Sequence, residues 1–212
     1  MYQYKMGLYD NIDKFDKPNQ NNCEDSICFT MYQADIKEVA SIIKLNPTNY
    51  DEALCCAARK GNLELMELFK NLGATKYFNA MLAAAEYSKI NAMTLLKEWG
   101  VDNYDGAIYC AAYNGNIYVM ELLKEWGATN FDIAMLAAVE KSQLNAMKLL
   151  KEWGVTEYKF AMRKAIDYSQ IDAVNLLKEW GVSENDDTVY SSGPRVEGLE
   201  DYYVANKKLN IC

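Results

Sequence analysis

Five glycines, Gly73, Gly100, Gly127, Gly154 and Gly181, stand 27 residues apart in this chain. Four of them close the word LLKEWG, and the first closes the weaker LFKNLG. On that period the chain divides into units 47–73, 74–100, 101–127, 128–154 and 155–181, with a degenerate unit at 26–46. Three apolar columns never vary across the five good units. They are Ala53, Ala80, Ala107, Ala134 and Ala161; Ala57, Ala84, Ala111, Ala138 and Ala165; and Leu68, Leu95, Leu122, Leu149 and Leu176. A unit this short cannot enclose a core, so each must bury its apolar side against its neighbours.

Each unit reads as two short helices. In the first, Ala53, Leu54, Ala57 and Ala58 recur at helical spacing, and the invariant alanines imply close approach of another backbone. A break follows at Gly61-Asn62 and Gly115-Asn116, or at Ser88-Lys89, Ser142-Gln143 and Ser169-Gln170, residues that suit a tight turn. The second helix carries an i, i+3 stripe such as Ile117, Met120, Leu123 and Trp126, and stops at the glycine in the left-handed conformation expected there. An aromatic precedes each first helix, Tyr50, Tyr77, Tyr104, Phe131 and Tyr158, placed to fold back on the first turn as a staple. The fold class expected is all-α, a solenoid of stacked helix-turn-helix units.

A longer period lies over the first. Units 74–100 and 128–154 agree at 18 of 27 positions and units 47–73 and 101–127 at 14, whereas the adjacent units 74–100 and 101–127 agree at 12. The array therefore reads as a duplicated 54-residue pair, with Gly-Asn turns alternating with Ser-Lys or Ser-Gln turns.

Composition narrows the chemistry. The chain has 30 acids, 22 bases and no histidine, for a formal charge of −8. That balance repels phosphate backbones and anionic lipid, so neither nucleic acid nor membrane is expected as a partner. Lack of histidine removes Ser-His-Asp and Cys-His nucleophiles and the common zinc sites. No P-loop or G-x-G-x-x-G is present. The reading is of no enzyme, with no catalytic residue, cofactor or metal site. No apolar run approaches about 18 residues and Met1 to Phe15 does not resemble a signal peptide, so a cytoplasmic protein is expected. Cys56 and Cys110 occupy a column held by Ala83 and Ala137, and both are read as reduced, small core residues.

The succession of Ala107 to Ala112, the Gly115-Asn116 turn and the helix ending Leu122 to Thr129 resembles the ankyrin repeat. The resemblance covers about 26–181. It departs from the consensus in lacking the T-P-L-H tetrapeptide, with Asp132 to Met135 near that place, and in using 27 residues where about 33 are usual. The missing residues fall where ankyrin units carry β-hairpin fingers, which should be shortened or absent here. Finger-poor units ending in KEWGA are similar to the ankyrin-like proteins of large DNA viruses of protists. The resemblance implies a monomeric scaffold that binds another protein, in the host cytoplasm for a viral protein. A structural or assembly protein, self-associating or part of a virion, is the alternative.

Within the array, packing accounts for the column Trp99, Trp126, Trp153 and Trp180 if each indole lies over the following unit's loop; otherwise the four form a ribbon of binding anchors. The lysines Lys70, Lys97, Lys124, Lys151 and Lys178 read as a solvated edge that complements the helix dipole. Partner specificity belongs in columns that vary. These are Arg59, Glu86, Tyr113, Glu140 and Asp167, then Lys60, Tyr87, Asn114, Lys141 and Tyr168. Tyr87, Tyr113, Glu140 and Tyr168 are the expected protein-binding residues. Lys164, in a column of small residues elsewhere, should mark a face turned to solvent. Residues 1–25 read as an N-terminal extension, 26–46 as a polar-faced cap, and 182–212 as a tail. There Val196, Leu199, Tyr202, Tyr203 and Leu209 suit either a capping helix or a recruiting peptide.

Overall fold

The computed structural model describes residues 50–156 and 158–183. The N-terminal extension, the degenerate cap and all but the first two residues of the tail lie outside the described residues. Within them stand ten helices and no strand. They run in pairs: α1 (Tyr50–Lys60) and α2 (Leu63–Asn71), α3 (Tyr77–Glu86) and α4 (Ile90–Glu98), α5 (Asp105–Tyr113) and α6 (Ile117–Trp126), α7 (Phe131–Glu140) and α8 (Leu144–Glu152), α9 (Tyr158–Asp167) and α10 (Ile171–Glu179). Each pair packs on the next, giving an all-α array of stacked helical hairpins.

Both breaks in each unit obey one rule. At the end of the first helix the Asn62 N–H reaches the Ala57 carbonyl, and at the end of the second the Ala74 N–H reaches the Phe69 carbonyl, each at 3.0 Å. The intervening residue, Gly61 or Gly73, has φ of +73° or +105°. This is the Schellman closure, which satisfies carbonyls that the helix leaves orphaned. The residue after the terminal glycine is apolar and buried in four units, as Ala74, Val101, Ala128 and Val155, so each closure also seats a hydrophobic contact.

The invariant alanines explain how near the first helices come. Ala57, Ala84, Ala111, Ala138 and Ala165 have no accessible surface, and neither do Ala53, Ala80, Ala107, Ala134 and Ala161. Successive first helices pack along their length, whereas successive second helices touch in few places. Between the rows lies the core, filled by Leu54, Met66, Phe69, Met81, Met93, Ile108, Met120, Leu123 and Met135. Each such side chain contributes about 1.5–3 kcal/mol on burial.

The 54-residue alternation has a steric cause at two junctions. A Cβ at Gly115 would meet the Gln143 side-chain amide, with Cδ 2.9 Å away, and one at Gly61 would meet Lys89 Cδ at 3.3 Å. Glycine thus stands where the next unit presents a long turn side chain. Ser88, whose following unit carries the shorter Asn116, keeps its Cβ, although φ is +54°. Ser142, which precedes the unit carrying Gln170, does not follow this size rule, and nothing in the structure explains the exception.

One cysteine corrects the sequence reading. Cys110 is a buried thiol, but Cys56 is disulfide-bonded. A small buried side chain looks the same in sequence whether or not its sulfur is bonded. Desolvation pushes the neighbouring Cys55 up to about 12, so it remains a thiol at neutral pH.

Candidate functional site

The hairpins present two edges. One follows the turn between the helices of a unit; the other follows the loop between units. At the turn edge, polar side chains fasten three of the units to the one before. Asn116 Nδ2 donates to the carbonyls of Ala85 at 3.3 Å and Glu86 at 3.0 Å. Gln143 Nε2 donates to the Tyr113 carbonyl at 3.4 Å, and Gln170 Nε2 to that of Glu140 at 2.7 Å. These bonds cap carbonyls at the end of the preceding first helix, so the amide side chain in this column is structural.

The four expected contact residues all lie on this edge, and each has a partner in the array. Tyr87 is 44% exposed and Tyr168 52%. The Arg59 guanidinium carbon stands 5.5 Å from the centre of the Tyr87 ring, Lys141 Nζ 4.8 Å from that of Tyr113, and Lys164 Nζ 5.3 Å from that of Tyr168. Tyr113 also stacks on Tyr109 at 6.3 Å between centroids. Lys164 Nζ lies 2.7 Å from Glu140 Oε2. Glu140 is therefore half-buried behind Lys164, and the expectation that Lys164 faces open solvent is corrected: the cation is drawn to the carboxylate of the preceding unit. The variable columns, read as free of packing, dictate one another across units. Arg59 with Tyr87 and Lys141 with Tyr113 each pair a cation with a ring of the adjacent unit, whereas Lys164 and Tyr168 belong to one unit, and the two pairs between units are visible in sequence only once the columns are known to be adjacent.

The loop edge carries a stricter ladder. Within each of four units the aromatic before the first helix packs on the unit's own tryptophan. The pairs are Tyr77 with Trp99, Tyr104 with Trp126, Phe131 with Trp153 and Tyr158 with Trp180, at 5.1–5.6 Å between centroids. Over each indole stands the lysine of the preceding unit: Lys70, Lys97, Lys124 and Lys151, at 4.4–4.5 Å. Three contacts that the column pattern did not foretell meet here. The indole packs on its own unit's ring; that ring packs on the indole; and the lysines, although exposed, stand over aromatic faces. The reason is common to all three. A half-exposed indole offers a negative face at the spacing of one repeat, and an ammonium in the last helical turn of the preceding unit reaches it.

Aspartates complete this edge. Asp51 Oδ1 accepts the N–H groups of Thr75 at 2.6 Å and Lys76 at 2.9 Å. Asp105 Oδ1 accepts those of Thr129 at 2.8 Å and Asn130 at 3.0 Å. A carboxylate at the start of one first helix thereby closes the loop that leads into the next. Tyr104 is buried, and its hydroxyl donates to the Val101 carbonyl at 2.8 Å. Burial, and then the charge of Asp102, hold its phenol above the ordinary tyrosine value. Burial and then Asp132 do the same for Tyr158.

No helix among the described residues is long and apolar enough to cross a membrane. The chain matches no family model, and no curated protein matches its sequence.

Proposed function

We propose that the array is an ankyrin-type scaffold, non-enzymatic and without cofactor, that holds another protein along its turn edge. The observation that carries this reading is the set of Tyr87, Tyr113 and Tyr168, each with a cation from the array over its ring. Tyrosine gives a large amphipathic contact at low entropic cost, and a ring already fixed by a neighbour loses little further freedom on binding. Glu140 acts behind them by holding Lys164 against Tyr168. The alanine columns serve as the rigid bed from which the rings project. The viral and cytoplasmic setting belongs to this proposal on the strength of the KEWGA-ended units.

The test is affinity capture from the native cell with the whole chain and with a Tyr87→Ala, Tyr113→Ala, Tyr168→Ala variant. A protein retained by the first and lost by the second is the expected outcome. An identical set of captured proteins would remove the turn edge from consideration.

A second reading, self-assembly, is favoured by one observation. In the last described unit Ile166 is 41% exposed and Ile171 72%, whereas the counterparts of Ile166, namely Ala58, Ala85, Ala112 and Val139, are buried. Identical arrays meeting end to end would cover that face. Light scattering across a concentration series separates the readings: a fixed monomer mass supports the scaffold, and growth abolished by Ile171→Ser supports assembly.

A further inference from the structure

The unit 74–100 departs from its siblings at two linked positions. Asp51, Asp105 and Asp132 begin the first helix in three other units and Lys159 in the last, but this unit has Phe78. The loop that follows has Asp102 where Thr75, Thr129 and Thr156 stand in the other junctions. The carboxylate has thus moved from the helix to the loop, and Phe78 has no oxygen with which to close the loop as Asp51 and Asp105 do. Its ring lies instead against the next unit, where a Cβ on Gly106 would come 2.9 Å from Phe78 Cζ. Beside it opens a depression of about 440 Å³ whose lining includes Thr75, Tyr77, Phe78, Trp99, Asp102 and Asn103.

Three aromatic rings and one carboxylate around a cavity form a donor set with a definite preference. Ring faces attract a cation through their quadrupole, and an apolar wall suits a cation clothed in methyl groups better than a strongly hydrated ammonium. The carboxylate adds a full negative charge on a molecule of formal charge −8. Trp99 already acts in this way, because Lys70 Nζ stands 4.4 Å from its centre, and Lys70 does not line the depression. We propose that this depression binds a methylated ammonium group, carried by a free quaternary amine or by a methylated lysine side chain. The proposal is independent of the tyrosine edge, which lies at the other end of the helices.

The full-length protein titrated with tetramethylammonium chloride at constant ionic strength tests it, with the four tryptophan indole N–H resonances followed by NMR. A saturable shift of Trp99, with Trp126, Trp153 and Trp180 unmoved, is the expected result. Asp102→Thr introduces the residue that three other junctions hold, so folding is preserved, and it should weaken binding about fivefold or more. Phe78→Asp, which restores the sibling pattern, should do the same. Choline and Nε-trimethyllysine amide then identify the source, the tighter of the two naming the carrier. Uniform drift of all four indoles, undiminished binding in Asp102→Thr, or saturation by sodium acetate in place of tetramethylammonium would each overturn the assignment.

Discussion

The two rows of helices are held by opposite means. The first-helix row, α1, α3, α5, α7 and α9, touches through alanine, so contact comes from backbones brought close by the absence of side chain. The second-helix row, α2, α4, α6, α8 and α10, hardly meets helix to helix and is joined at its ends by the lysine–tryptophan ladder. The lesson is that one repeat carries two kinds of neighbour contact. One is dry, additive in area and intolerant of volume; the other is polar at its tip and tolerant of change elsewhere.

The comparison breaks most readily by enlarging a side chain in each row. Ala111→Leu should destabilise the array by about 3 kcal/mol, because Leu must displace a packed backbone. The outward-facing Glu121→Leu should stay within about 0.5 kcal/mol. Denaturant melts of the two variants measure both, and comparable losses would mean that the rows do not differ. Next in size, Trp126→Ala should cost about 2–3 kcal/mol by removing the partner of both Tyr104 and Lys97. Asn116→Ala should cost about 1–2 kcal/mol, since it leaves the ends of α3 without their side-chain donor. Smallest, Lys97→Met keeps the aliphatic stem and loses only the charge over Trp126, for about 0.5–1 kcal/mol. A loss as large as that of the tryptophan would show that the ladder depends on charge more than on ring contact.

Titration sharpens the same contrast. Tyr104 and Tyr158 sit above the ordinary tyrosine value in the folded chain, chiefly through burial. The folded state then holds protons that the unfolded state loses, so their contribution is whole below about pH 10 and lost as pH rises through the folded values. Thermal melts from pH 9 to 11 should fall for the native chain and fall less for Tyr104→Phe. Equal slopes would mean that the loop-edge phenols do not govern alkaline stability.

Much of this was legible in one sequence because of repetition. The invariant alanines, the terminal glycines and the 27-residue interval each recur at a place where packing or backbone geometry admits few alternatives. The variable column of Glu86, Tyr113, Glu140 and Asp167 was legible as the end of the first helix, where these residues stand. What they touch was not legible. Lys164 with Glu140, Arg59 with Tyr87 and Lys97 with Trp126 are pairs separated by about one repeat. The disulfide at Cys56 escaped for a related reason, because bonding depends on what lies opposite and not on the residue's own pattern.

Sequence alone therefore determined the period, the two helices in each unit and the faces they bury, because helix-forming pattern, small residues and left-handed breaks are local properties of the chain. Only the tertiary structure decided which side chains of successive units meet: the indole under the preceding lysine, the phenol under a cation, Phe78 against Gly106. Those meetings depend on the rotation and rise from one hairpin to the next, which arise from the stack as a whole and belong to no single residue.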